Sequence, residues 1–184
     1  MSFYAARSHR LATLADLPRI VEIYNQTIPS RQVTADLEPV DLESRLSWFA
    51  AHQPATRPLW VVEQEGEVKG WLSFSDFYGR PAYRQTTEIS LYIDAAARRQ
   101  GIGTYLLQAA IAHAPVLELE CLLAFIFEHN EPSLRLFQNA GFQSWGLLPN
   151  VAILDGVRRN LAILGYAIPP AFSSKSASTE GMKP

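Results

Sequence analysis

Four residues in the stretch "ARRQGIGT" could hold an anion together: Arg98, Arg99, Gly101 and Gly103. The two guanidinium groups supply charge and donors. The two glycines let the backbone come close to a ligand. A helix starting there would point free N–H groups outward, with a dipole that favours negative charge. A diphosphate could use all of these. Taken alone, the step is equally compatible with a tight strand-to-helix turn. A dinucleotide fingerprint is excluded, because Leu106 stands where its third glycine belongs, and no Gly-Lys-Ser/Thr triplet forms a P-loop.

Other reactive residue types are sparse. His9, His52, His113 and His129 lack metal-ligand spacing, so no metal is expected. Cys121 is the only cysteine and reads as a buried small hydrophobe within "CLLAFIF". Hydrophobic residues make up 48% of the 184 positions and charged residues 18%, ordinary for a globular chain with a real core. A net charge of −2 gives no general attraction to nucleic acid or to an acidic membrane, and neither is expected as a partner. "MSFYAARSHR" lacks a signal-peptide core and no window reaches the ~20 apolar residues of a membrane span, so the expected location is cytoplasmic.

The elements that must position the anion site follow from periodicity. Arg10 to Thr13 reads as a short strand, and "DLPRIVEIYNQT" as a helix with Asp16 as N-cap and proline in its first turn. A second helix is expected from Asp41, with Leu42, Leu46 and Phe49 at helical spacing. "LWVVEQEGEVKGWLSFSDF" gives two strands about a turn at Glu65-Gly66, and "TEISLYID" a fourth strand. A helix runs from about Gly103 to His113, then "CLLAFIF" forms a strand buried on both faces. "NEPSLRLFQNAGF" is a helix capped by Asn130 and closed by Gly141, with strands after it at Phe142–Leu148 and Arg158–Tyr166. One domain over 1–168 is expected, and a disordered tail over 169–184, rich in Ser, Pro and Lys.

With the elements in place, Arg98-x-x-Gly101-x-Gly103 resembles the Arg/Gln-x-x-Gly-x-Gly/Ala motif of the GCN5-related N-acetyltransferases. "IYNQTI", "VKGWLSFSDF", "AYRQTTEISLYI", "GIGTYLL" and "NEPSLRLFQNAGF" resemble, in order, the phosphinothricin and methionine-sulfoximine acetyltransferase branch. The resemblance implies an α/β (mixed α+β) fold. Its central, mostly antiparallel sheet splays between strands 4 and 5 and carries helices on both faces. It implies acetyl-CoA as co-substrate. Backbone groups of Leu91, Tyr92 and Ile93 would hold the pantetheine arm and the acetyl carbonyl, and Arg98, Arg99, Gln100, Gly101, Ile102, Gly103 and Thr104 the pyrophosphate. Asn130 and, more weakly, Ser133 would contact the coenzyme, alongside the capping role Asn130 has in any case.

An alkyl amine with a pKa near ~10 is protonated at neutral pH, so transfer needs a base. Glu88 opens an otherwise apolar strand and matches the glutamate of the family's Glu-x-Ser/Thr-x-Tyr stretch; an exposed strand-end carboxylate is the plainer alternative. Relatives place tyrosine or histidine seven residues after the asparagine, where this chain has Phe137. Water, Tyr92 or Tyr105 could then protonate the leaving thiolate, or it could leave unprotonated, its thiol pKa being about 8.5.

The acceptor is less legible. Phe74, Arg80 and Tyr83, with Arg84, surround "PAY" ahead of the base strand and could receive a small amino-acid-like amine, although exposed arginines are commonly just solvated. Arg158 and Arg159 could serve an anionic substrate or an exposed strand edge. Three readings remain: an acetyltransferase of small amino-acid-like amines, one of protein N-termini or lysines, and a non-catalytic acetyl-CoA sensor. The branch also implies a homodimer.

Overall fold

The computed structural model describes residues 7–169. Its elements run in the expected order: β1 (His9–Leu11), α1 (Leu17–Asn25), α2 (Leu46–Ala51), β2 (Leu59–Gln64), β3 (Glu67–Asp76), β4 (Thr86–Ile93), α3 (Ile102–His113), β5 (Cys121–Phe127), α4 (Glu131–Asn139), β6 (Gln143–Leu154) and β7 (Val157–Ala167). The seven strands form one sheet in the order β1-β2-β3-β4-β5-β7-β6. Every pairing is antiparallel except that of β4 with β5. The expected tail lies, beyond Pro169, outside the described residues.

Strand alternation assigns the two faces. One face presents Leu72, Phe74, Ile89, Leu122, Ala124 and Leu164 to Ile102, Leu106 and Leu107 of α3 and Phe137 of α4. The opposite face presents Val61 and Trp71 to Ile20 and Ile23 of α1 and to Trp48 and Phe49 of α2. Cross-strand pairs Trp71↔Tyr92, Ser73↔Ser90 and Ser75↔Glu88 put Glu88, Ser90 and Tyr92 on this second face. The hairpin at Glu65-Gly66 has φ of 54° and 78°, the double left-handed turn that matches strand twist.

Three expectations need correction. Asp16 does not cap α1 with its side chain. It accepts from the Thr13 amide (2.7 Å) and pairs with Arg10 of β1 (2.7 Å), so the helical path begins one 3-10 turn earlier, at Leu14. The second helix is regular only over its last six residues, behind a 3-10 turn at Glu43–Arg45. Leu42 and Leu46 remain exposed because the sheet meets α2 only through Trp48 and Phe49. The last two strands are longer than expected and form a hairpin about Asp155-Gly156, with φ of 48° and 80°.

Candidate active site

β4 follows β3 from Thr87 to Ile93, yet meets β5 at only three positions, Thr86↔Cys121, Thr87↔Leu122 and Glu88↔Leu123. Beyond Glu88 the two strands part. The β5-facing edge of 89–93 is therefore an interior strand edge whose alternate N–H and C=O groups lack a ladder partner. An extended molecule with amide groups can complete such an edge as an added strand does.

Where the fork opens, α3 begins. Its first helical bond is Tyr105 N–H to the Gly101 carbonyl (3.0 Å), which leaves the N–H groups of Ile102, Gly103 and Thr104 free of intrahelical partners. No side chain caps them. Gly101 is left-handed (φ 80°), and so is Arg99 (φ 59°), a conformation that costs a non-glycine residue about 1–2 kcal/mol. A methyl on Gly103 would stand 3.1 Å from Leu136 and 3.5 Å from Leu91, so this glycine lets α3, α4 and β4 converge. Asp94 pins the connecting loop. Its carboxylate accepts from Ala96 N–H (2.8 Å) and pairs with Arg19 of α1, while Gln26 accepts from Ala95 N–H (3.0 Å).

A cleft of about 500 Å³ joins the fork to the start of α3, a size typical of small-molecule sites. Leu91, Tyr92, Ile93, Arg98, Arg99, Gly101, Ile102, Gly103, Thr104, Asn130 and Ser133 all line it. Gln100 does not. Its carbonyl receives Arg7 and its amide reaches back to Ala96. Ile102 is only 1% exposed, so its contribution is its backbone. Asn130 is buried and accepts from Ser133 N–H (3.3 Å), the cap expected of it. Phe137 closes the inner wall, edge-on to Phe142 at 5.0 Å. The free helix N–H groups, exposed Arg98 and Arg99, and open strand edge together suit a diphosphate joined to an extended amide-bearing arm.

The sequence profile of the acetyltransferase (GNAT) family matches residues 17–142. This chain is a GNAT-family acetyltransferase. YwnH of Bacillus subtilis, provisionally named a phosphinothricin acetyltransferase, is 55% identical over 157 residues, 85% of this chain and 96% of that protein. The L-methionine sulfoximine/L-methionine sulfone acetyltransferase of Pseudomonas paraeruginosa is 33% identical over 168 residues, 91% of this chain and 98% of that protein. The crystal structure of a GNAT superfamily phosphinothricin acetyltransferase from Sinorhizobium meliloti in complex with AcCoA superposes with a TM-score of 0.84 at 28% identity, covering 97% of this chain and 96% of that one.

Within this acetyltransferase, Glu88 occupies the apex of the fork, the last residue of β4 to pair with β5. It is half-buried and has no cation partner among the described residues. Burial pushes its carboxyl pKa up, partly offset by a hydrogen bond from Ser90. Tyr92 stacks on Trp71 at 4.4 Å, and burial raises its phenol well above the ordinary value. Tyr105 turns away, its hydroxyl 2.8 Å from His9 Nδ1 on the α3 face.

The expected acceptor residues are not brought to the cleft. Phe74 is fully buried on the α3 face, against Trp60 at 5.0 Å and on the opposite side of the sheet from Glu88. Arg80 and Tyr83 are exposed around the 3-10 turn Pro81–Tyr83. Sequence reasoning missed Phe77 and Phe125. The loop after β3 folds back so that Phe77 stacks over Phe125 (6.3 Å) and meets Tyr83 (5.3 Å), while Phe125 lines the fork with Ser90 and Tyr92. The aromatic density of "DFYGRPAY" was the available signal. Val33, reaching the fork from the loop after α1, had none.

Proposed function

We propose that this acetyltransferase transfers the acetyl group of acetyl-CoA to the amine of a small amino-acid-like acceptor of the phosphinothricin or methionine sulfoximine kind, with Glu88 as general base. The position of Glu88 carries the reading: a partly desolvated carboxylate without a cation partner, at the point where the sheet opens. The names borne by the relatives support the acceptor class.

In this reading the N–H groups of Ile102, Gly103 and Thr104, with Arg98 and Arg99, hold the pyrophosphate, and the open edge at Leu91–Ile93 orients the arm. Asn130 and Ser133 bound the same groove. Glu88, directly or through water, takes the ammonium proton. The amine nitrogen then bonds to the acetyl carbon, and β4 backbone N–H groups steady the oxyanion. Collapse of the adduct breaks the C–S bond, the sulfur keeps the electron pair, and the nitrogen sheds its second proton to water as the amide forms. Phe137 has no proton to give, and Tyr105 is turned away from the cleft. Water, Tyr92 or release as thiolate completes the step, the last being accessible for a thiol of pKa about 8.5.

We also propose a homodimer. β6 ends the sheet, and along it Trp145, Leu147, Leu148, Val151 and Ile153 stand between 39% and 55% exposed, an apolar strip suited to a second copy.

Thiol release from acetyl-CoA against a panel of amines tests the function, with wild type beside Glu88→Gln. The reading expects turnover on amino-acid analogues and a fall of about 10²–10⁴-fold in the variant. Undiminished turnover in Glu88→Gln removes the base, and silence across the analogues removes the acceptor class.

A further inference from the structure

The cleft that runs from the start of α3 does not stop at the strand edge. It narrows into a recess of about 50 Å³, against about 500 Å³ for the cleft, between the diverging ends of β4 and β5. Leu91, Tyr92 and Phe137 line both spaces, whereas Ile89, Ala124 and Phe125 line only the recess. Ile89 and Ala124 come directly after the last ladder pair, Glu88 with Leu123, so the recess ends at the closed seam.

Alternation divides its walls between the two faces of the sheet. Ile89, Ala124 and Phe137 belong to the core under α3 and are 3%, 1% and 4% exposed. Tyr92 and Phe125 stand on the face of Glu88. Each aromatic wall is itself backed: Phe137 by Phe142 at 5.0 Å, Tyr92 by Trp71 at 4.4 Å and Phe125 by Phe77 at 6.3 Å. Side chains packed in this way do not yield to a larger guest without cost. Within β5 only Ala124 carries a side chain as small as a methyl, and a larger one would fill the recess from behind.

A donor whose pyrophosphate sits at the start of α3, with its arm along the edge at Leu91–Ile93, brings its acyl end here. We propose that this recess is the acyl pocket and that Phe137 and Ala124 limit it to an acetyl group, so that the enzyme selects its donor by acyl length. The assignment rests on the donor placement proposed above and adds to it a choice between one coenzyme thioester and another. One water needs roughly 10–15 Å³ of such space, so the recess holds only a few groups of that size. The sulfur, carbonyl and methyl of an acetyl thioester use it up, and a further methylene meets Phe137 or Ala124. An acyl group turned towards α3 also leaves its carbonyl carbon open to the opposite face, where Glu88 stands. Phe137, which has no proton to give, thereby has a use of its own: its ring closes an apolar pocket.

The test varies the donor. Acetyl-, propionyl- and butyryl-CoA are compared in thiol release with L-methionine sulfone and, without an acceptor, in affinity by calorimetry, using wild type, Phe137→Leu and Ala124→Val. Wild type is expected to lose about 10-fold in kcat/KM at each added methylene, within the range one methylene commands in an apolar pocket. Phe137→Leu, which draws back one wall, is expected to raise kcat/KM for butyryl-CoA itself by about 10-fold. Ala124→Val is expected to lower kcat/KM for acetyl-CoA and to steepen the series. A flat series in wild type overturns the assignment, as does a series that neither variant changes. Absence of thiol release from every donor with every amine removes the acceptor reading instead, and affinity then decides. Butyryl-CoA bound by wild type as tightly as acetyl-CoA overturns the assignment; an affinity that falls with chain length and is regained in Phe137→Leu upholds it.

Discussion

Glu88 shows what a single residue can be asked to do. Folding raises its carboxyl pKa, so the native state holds that proton more tightly than the unfolded chain does. The sign follows: the ionised form costs stability at neutral pH, a cost absent below the unfolded value near ~4.3 and growing as pH rises through the folded value. Glu88→Gln should therefore unfold at the same temperature as wild type or higher in calorimetry, while its turnover collapses. The kcat/KM profile of wild type should rise with pH through a value above the ordinary glutamate range, and that limb should vanish in the variant. A rising limb that persists in Glu88→Gln assigns it to another group. This residue was legible in "TEISLYI" because alternation in β4 sets Glu88, Ser90 and Tyr92 on one face. The same alternation across "LSFSDF" sends Phe74 to the opposite one. Phe125 was hidden for a different reason. Both faces of β5 are apolar, and period two carries no information when every residue is hydrophobic.

At the scale of elements, the start of α3 is where local sequence and the proposed donor site coincide. Gly101 has a left-handed backbone, and a methyl there would meet Arg7 at 3.3 Å. Gly101→Ala should cost about 1–2 kcal/mol, some 2–8 °C in melting temperature for a domain of this size. It should also raise KM for acetyl-CoA more than it lowers kcat, since it tilts the free N–H groups without touching Glu88. Steady-state kinetics with acetyl-CoA as the varied substrate checks this, and a loss confined to kcat contradicts it. The order of elements followed from periodicity, caps and turns. Their ends followed less well. Asp155-Gly156 is as strong a hairpin signal as Glu65-Gly66, but a long strand with two register shifts, between Ser144 and Gly146 and between Leu148 and Ala152, blurs the alternation that would have reached it. The loop over 28–40 had no signature at all. Its position is fixed by contacts distant in sequence, Arg31 with Asp155 and with His129, which no window of neighbouring residues contains.

For the whole molecule, a donor that bridges the fork and α3 binds only the folded state. Acetyl-CoA at a hundred times its Kd should add about 2.7 kcal/mol to stability, read as a rise in melting temperature that coenzyme fragments lacking the pyrophosphate do not reproduce. If β6 joins two copies, Ile153→Glu should convert a dimer to a monomer in light scattering, and an unchanged mass places the contact elsewhere. The three-pair seam between β4 and β5 has a mechanical meaning as well. It divides the sheet into two leaves, β1–β4 and β5–β7–β6, joined edge to edge only from Thr86 to Glu88. Any swing of one leaf against the other pivots there, carrying Leu91–Ile93 through the widest arc. Glu88 sits on the pivot, where a lever moves least. A swing of that kind would displace the donor's end of the fork more than the carboxylate.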